Sequence, residues 1–183
     1  FIGKAIEAGA AAVVCKRIPD DSPTDRCAFV VTDDTDKAVA VMAENFYERP
    51  SRRMKVVGVT GTKGKTTTTF LLKSIFEAAG IRCGIIGTTG CIAGDTKLPS
   101  KLTTPDPIEL QKMLRMMADE GVKVVCMEVS AHAIDMNRLD GMNFEVGCYT
   151  NLSQDHLDYF YTMERYFETK KQFFTSGMVK NAA

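Results

Sequence analysis

Net charge is the first thing this sequence lacks. Its 23 Lys and Arg balance 23 Asp and Glu. A chain without basic excess has no broad footprint for nucleic acid, so any anion must be held by a local site. Cys-x-x-Cys pairs are also missing. The six cysteines, Cys15, Cys27, Cys83, Cys91, Cys126 and Cys148, are scattered, several inside apolar runs. That spacing argues against structural zinc and predicts buried free thiols in a reducing compartment. No secretory signal and no apolar run of membrane length is present, so a cytoplasmic protein without membrane insertion is expected. Internal repeats and low-complexity tracts are absent. So is an initiator Met: the chain begins at Phe1 in mid-pattern, and a fragment of a longer protein is expected.

What is present is ordinary in bulk and specific in detail. Hydrophobic residues make up 45% and charged residues 25%, as in a typical globular protein. The 183 residues suffice for one domain of good size or one and a piece. The specific stretch is Val56 to Thr67. An apolar, β-branched run ends in Gly61-Thr-Lys-Gly64-Lys65-Thr-Thr67, and a helical pattern follows. Strand, glycine loop, Lys-Thr and helix form the P-loop arrangement. Glycines let backbone N–H groups close around phosphate oxygens, and the helix N-terminus adds its positive dipole end. Gly61, Thr62, Lys63, Gly64, Lys65, Thr66 and Thr67 are therefore the candidate nucleotide-binding residues. Lys65 would reach the β- and γ-phosphates and Thr66 would ligand Mg²⁺. The longer form of the motif has a glycine where Val59 stands here.

Around this stretch strands and helices alternate. Before it come a short helix over 1–10, strands at 11–15 and 28–32, and a helix at 35–47 capped by Asp33 or Asp34. Residues 50–53 read as a break and linker, so residues 1–52 are expected to be the end of one small α/β domain. After it come a strand at 54–60, a helix at 66–79, a strand at 82–88, and a loop at 90–99 with a small hairpin near Gly94. A helix at 107–120 and strands at 122–129 and 144–150 follow, then a helix at 163–174. Such alternation implies an α/β fold with a parallel sheet.

Three further clusters follow predicted strands or precede a helix. Glu128 ends an apolar strand, at the ligand edge of an open α/β sheet. It can hold Mg²⁺ there or serve as an ion-paired cap. His156, one of only two histidines, is flanked by Asp155 and Asp158, which could orient its ring. Thr103-Thr104-Pro105-Asp106-Pro107 starts a helix, with Asp106 as cap. Its hydroxyls could also face an anionic substrate.

In order, Gly61-Thr-Lys-Gly-Lys-Thr-Thr67, Ile86-Gly-Thr-Thr-Gly90, Thr103-Thr-Pro105, Glu128-Val-Ser130-x-His132 and Asn151-Leu-x-x-Asp-His-Leu-Asp158 resemble the Mur ligases, and among them the tripeptide-synthetase type. The resemblance covers essentially the whole chain. It implies that residues 1–52 close an N-terminal domain that holds the uridine end of the substrate. Residues 53–183 would be the first part of a central ATP-binding domain, and a C-terminal amino-acid domain would lie outside the chain. The implied reaction is ATP-dependent. A carboxylate of UDP-N-acetylmuramoyl-dipeptide attacks the γ-phosphate, and the amine of a free amino acid displaces phosphate from the acyl phosphate. Meso-diaminopimelate and L-lysine both remain open as that amino acid. The resemblance assigns Lys65, Glu128, His156 and Lys170 to catalysis. It makes Thr66 and Glu128 ligands of one Mg²⁺, and His156 with a carbamylated Lys170 ligands of a second. Thr103, Thr104, Ser130 and Arg138 would touch the UDP-muramoyl-peptide. A monomer is expected, and the chain alone should lack ligase activity.

Helical spacing places Phe167, Lys170 and Phe174 on one inward face, with Lys171 pointing elsewhere. Departures from the family pattern are Ala131 for a second Ser, Leu102 before the Thr pair, and Phe160-Tyr161 for His-Gly. Rival readings are another Mur-type or folylpolyglutamate-like ligase, or a P-loop ATPase used as a switch.

Overall fold

The computed structural model describes residues 1–183. A seven-stranded, mostly parallel sheet carries the molecule, with helices on both faces. Its strands are β3 (Lys55–Thr60), β4 (Cys83–Gly87), β5 (Gly90–Ala93), β6 (Thr96–Leu98), β7 (Val124–Glu128), β8 (Phe144–Tyr149) and β9 (Val179–Ala182). They lie in the order β6-β5-β4-β7-β3-β8-β9. The α/β fold class expected from the alternation is observed. Strands β5 and β6 are the antiparallel exception, a hairpin turning at Gly94–Asp95.

Burial explains why β7 reads as one apolar run. Val125 and Met127 face α4 (Pro107–Asp119), packing with Leu110, Met113, Leu114 and Met117. Val124 and Cys126 face the other way, against Leu72 and Phe76 of α3 (Lys65–Ala78). A strand covered on both faces has no polar side to alternate with. Helix α4 starts where the sequence indicates: the Asp106 carboxylate accepts from the amides of Ile108 and Glu109, both at 3.1 Å.

The N-terminal part holds α1 (Ile2–Glu7), a two-stranded parallel sheet of β1 (Ala12–Cys15) and β2 (Ala28–Val31), and α2 (Thr35–Phe46). The Asp34 carboxylate caps α2 through the amides of Asp36 and Lys37. Residues 50–52 form a 3₁₀ turn in which Pro50 and Ser51 are buried. Helix α2 packs along α4. Polar ties accompany that packing: Asn137 Nδ2 donates to Asp34 Oδ2 at 3.1 Å, and Arg115 pairs with Glu48 at 2.7 Å.

Three elements have weaker sequence signals. They are β9, the short helix α5 (Ala131–Asp135) and the single turn α6 (Leu157–Phe160). Helix α7 (Met163–Thr175) corrects the expected inward face. Tyr166, Thr169, Lys170 and Phe173 are buried, whereas Phe167 is 41% exposed. The stripe runs at i, i+3, i+4, i+7 from Tyr166 rather than from Phe167, because Phe173 fills the space against Phe144.

Candidate active site

The C-terminal ends of β3, β4 and β7 converge on one cleft of about 300 Å³. Thr62, Gly64, Lys65, Thr66, Thr67, Thr88, Thr103 and Glu128 line it, with no apolar side chain among them. The loop after β3 bends at Gly61 (φ 137°) and Gly64 (φ 86°). A Cβ on Gly61 would also run into the Thr150 hydroxyl. Helix α3 then begins at Lys65 with no side-chain cap. The amides of Gly64, Lys65, Thr66 and Thr67 have no acceptor within the chain. Four such amides at a helix N-terminus form a nest for an anion.

The front of the loop is different. Thr62 and Lys63 donate their amides to Asn151, through its backbone O and its Oδ1, both at 3.0 Å. Asn151 Nδ2 and the Thr150 hydroxyl donate back to Lys63 O. The Thr62 hydroxyl donates to Ser153 O at 3.1 Å and accepts from the Ser153 amide at 3.0 Å. Residues 150–153 thus brace the loop from the side of β8. Of the seven P-loop residues, Gly64 to Thr67 keep amides for a ligand. Asn151 lies in a motif quoted above, yet its bracing role has no signal beyond that motif.

Lys65 Nζ folds back onto the carbonyls of Gly61 and Thr62, both at 3.0 Å. Burial lowers its pKa, opposed by the charges of Glu128 and Asp155. Lys170, 1% exposed, reaches the same Gly61 carbonyl at 3.0 Å from α7. Its Nζ lies 4.5 Å from the centre of the Tyr166 ring. Burial, with a further push from Lys65, brings its pKa down to about 7. Lys171 instead pairs with Glu168 at 3.0 Å on the exposed side.

Glu128, 1% exposed, ends β7 beside β3. Its Oε1 accepts from the Thr66 hydroxyl and from the Thr88 amide, both at 2.9 Å. Its Oε2 accepts from the Thr88 hydroxyl at 3.3 Å. The carboxylate lies flat on the turn after β4, where any Cβ on Gly87 would collide with it. Thr103 joins this group through Thr88, oxygen to oxygen at 3.2 Å.

The other expected substrate residues are placed unequally. Thr104 is fully buried. Its hydroxyl donates to Glu128 O at 2.9 Å and accepts from the Ser130 amide at 3.0 Å. That side chain ties two loops together and is not free for a ligand. The Ser130 hydroxyl caps α5 at the Ala133 amide. Arg138 donates to Thr104 O at 3.1 Å and lines a neighbouring cleft with Asp36, Asp106 and Met136.

His156 follows the end of β8, with backbone in the left-handed region (φ 54°). Its ring lies edge-on to His132, centroids 4.8 Å apart, and its Nε2 is 3.7 Å from Asp155. Burial and the neighbouring His156 lower the pKa of His132. The Tyr166 ring lies near both groups, its centre 6.2 Å from that of the His156 ring and 4.5 Å from the Lys170 amine. No group of three or more His, Cys, Asp or Glu side chains converges as a metal cage. Thr66 and Glu128 still suit Mg²⁺, which keeps waters and phosphate oxygens and needs only one or two protein oxygens. An unmodified Lys170 ammonium does not suit a metal; a carbamate on its nitrogen would.

The family model for the Mur ligase middle domain matches residues 59–183. The chain belongs to the Mur ligase family. A curated Mur ligase, UDP-N-acetylmuramoyl-L-alanyl-D-glutamate–2,6-diaminopimelate ligase 1 of Clostridium acetobutylicum, is 44% identical over 177 residues. That match takes in 97% of this chain and 36% of the relative. The chain thus spans little more than a third of the curated relatives it matches. A solved structure of a UDP-N-acetylmuramoyl-L-alanyl-D-glutamate–2,6-diaminopimelate ligase superposes with a TM-score of 0.82 at 30% identity. It covers 99% of this chain and 36% of that one. A MurF ligase from Thermotoga maritima in complex with ADP shares the fold, with a TM-score of 0.53 at 24% identity. That match covers 94% of this chain and 36% of the ligase.

Proposed function

We propose that this chain is part of an ATP-dependent amide-bond ligase. The ligase would add the third residue to UDP-N-acetylmuramoyl-L-alanyl-D-glutamate in peptidoglycan synthesis. The incoming amino acid would be 2,6-diaminopimelate, on the strength of the relatives' names. Residues 1–52 would close the uridine-holding domain and residues 53–183 open the ATP-binding domain. A monomeric, cytoplasmic enzyme belongs to the same reading. No helix is long and apolar enough to cross a membrane.

The observation that carries the proposal is the wholly polar cleft that joins four unpaired amides, Lys65, and the Thr66–Glu128 pair to Thr103. The amides and Lys65 would hold the β- and γ-phosphates of ATP. The Thr66 hydroxyl gives its proton to Glu128, so its lone pairs face the cleft. Together these two side chains would hold Mg²⁺, which when bound neutralises charge on the transferring phosphoryl group. Lys65 would swing from the loop carbonyls to the γ-phosphate, leaving Gly61 O to Lys170. Lys170 would add CO₂ through its neutral amine with release of a proton, and the resulting carbamate would hold a second Mg²⁺ together with His156. Thr103, Ser130 and Arg138 would meet the muramoyl-peptide, whose carboxylate attacks the γ-phosphate. Acyl phosphate and ADP result, and the amine then displaces phosphate.

The complete protein should convert ATP, UDP-N-acetylmuramoyl-dipeptide and diaminopimelate to ADP, phosphate and the tripeptide product in equal amounts. Hydrolysis of ATP at the same rate without the dipeptide, and no amide product, would instead establish the switch reading.

A further inference from the structure

One residue in the cleft links two groups with different tasks. Thr88 lies in the turn between β4 and β5. Its amide fixes Oε1 of Glu128, and its hydroxyl fixes Oε2. Among the side chains, only this hydroxyl reaches Oε2. The direction of the protons follows from the groups themselves. An ionised carboxylate only accepts, so Thr88 spends its single hydroxyl proton on Glu128. The bond between Thr88 and Thr103, 3.2 Å long, must then be donated by Thr103. The order is Thr103 to Thr88 to Glu128. Thr103 comes from the loop before α4, and Glu128 from the end of β7. No backbone ladder joins those two side chains.

We propose that Thr88 is a positioning residue coupling Glu128 to Thr103. It would make the metal-facing carboxylate and the substrate-facing hydroxyl settle together. The proposal rests on the ligase reading for the tasks of its two ends. Without the Thr88 hydroxyl, Oε2 loses its partner and the carboxylate can turn about its last bond. Thr103 loses its acceptor at the same moment. The Thr88 amide would still hold Oε1, so the effect is on aim and not on folding. Chain chemistry also predicts an effect at a distance. Thr103 makes no hydrogen bond to Glu128, yet its donation polarises the Thr88 hydroxyl toward the carboxylate.

The test uses the complete enzyme without the muramoyl substrate. Calorimetry would measure the Mg²⁺ concentration giving half-maximal ADP binding. Thr88→Val should raise it about tenfold, the scale of a hydrogen bond to a charged group. Thr103→Val should raise it about threefold, though that residue makes no hydrogen bond to Thr66 or Glu128. The double variant should be no worse than Thr88→Val alone, since both remove one chain. Thr88→Ser should restore the parent value. In turnover, Thr88→Val should raise KM for the muramoyl-dipeptide, with the folded-state circular dichroism spectrum unchanged. Parent-like Mg²⁺ dependence in Thr103→Val, or strictly additive effects in the double variant, would overturn the coupling. If Thr88→Val does not fold, Thr103→Val alone decides. A parent enzyme that binds ADP with Mg²⁺ but forms no amide would sink the ligase reading and leave the coupling standing.

Discussion

Thr66 and Thr88 each bond directly to Glu128, whereas His156 and Lys170 share no hydrogen bond and have in common only their nearness to the Tyr166 ring. The first group rides on rigid parts: a helix start, a strand end and a tight turn. Its register is set by the ladder between β3 and β7, which places Val59 beside Glu128. The second group rides on a loop and on α7. His156 sits in left-handed backbone, and Lys170 donates a hydrogen bond to a carbonyl. On the proposed reading, one side of the phosphate loop would hold its ion with side chains the fold already fixes. The other would need a chemical change, because a buried ammonium repels what a carbamate would hold. On that reading one metal site would come from the fold and its neighbour from a modification the fold permits.

The sharpest way to break this comparison is to remove the cation that both sides share. In the complete enzyme, Lys65→Ala should leave the fold intact and lower turnover on the order of 10²–10³, the scale of losing a preorganised electrostatic donor. Steady-state assay with circular dichroism as a folding control checks it. Near-normal amide formation would mean the cleft is not where phosphoryl transfer occurs.

The next largest effect separates the two sides. Lys170→Ala should lose about 10² in turnover and regain part of it with added short carboxylates, which can fill the carbamate's place. Lys171→Ala should behave like the parent, since that side chain pairs with Glu168 on the surface. Glu128→Ala should not be rescued this way if its carboxylate must be held by Thr66 and Thr88. Full activity in Lys170→Ala, or rescue of Lys171→Ala instead, would remove the distinction between the sides.

The same contrast sets what is legible in the sequence. Gly61 to Thr67 and Glu128 are readable, because a strand–loop–helix and a carboxylate at a strand end have local signatures. The alternation of elements implies the parallel core, and β-branched runs mark β3 and β7. The buried face of α7 lies one residue away from the face that Phe167 and Phe174 suggest. Tyr166 begins the buried stripe, and its hydroxyl, 3.4 Å from that of Thr62, ties it to the phosphate loop. That partner is 104 residues away, so no local pattern favours Tyr166 over Phe167. Thr104 looks like a substrate hydroxyl because nothing local shows that Glu128 O and the Ser130 amide claim it. Asn151 and Thr88 act across 88 and 40 residues of sequence, respectively. Such bonds follow from topology, which single-sequence patterns do not encode.

A smaller effect sharpens the account of Lys170. In CO₂-free buffer its amine has a pKa of about 7 in the folded chain, against 10.5 as an ordinary lysine. Between those values the unfolded chain holds a proton that the folded chain has shed. Stability relative to Lys170→Met should therefore rise with pH from about 7 upward. The slope is at most about 1.4 kcal/mol per pH unit, the value for one proton. Chemical unfolding at a series of pH values would measure it. Parallel profiles for parent and variant would show that the amine stays charged against Gly61 O, and so that carbamate formation faces a larger barrier.

The smallest effect concerns the turn that follows His156. Tyr161 stands at φ 65°, ψ −43°, in backbone that suits glycine, and the residue is 73% exposed. The preceding Phe160 is fully buried, packed on His132 and Tyr166 with centroids 5.3 and 5.2 Å away. Phe160 thus anchors the turn, and Tyr161 carries its strain. The one visible compensation is Arg165, whose guanidinium lies 5.8 Å from the Tyr161 ring centre. A non-glycine residue in such backbone costs about 1–3 kcal/mol. Glycine's extra freedom when unfolded and the lost cation–π contact each offset about 0.5–1 kcal/mol of the relief. Tyr161→Gly should therefore stabilise the protein by about 1 kcal/mol or less. Tyr161→Ala loses the ring without relieving the backbone, so it should fall below both parent and glycine variant. Thermal melting of the three proteins orders them. If alanine outlasts glycine, the turn is not strained.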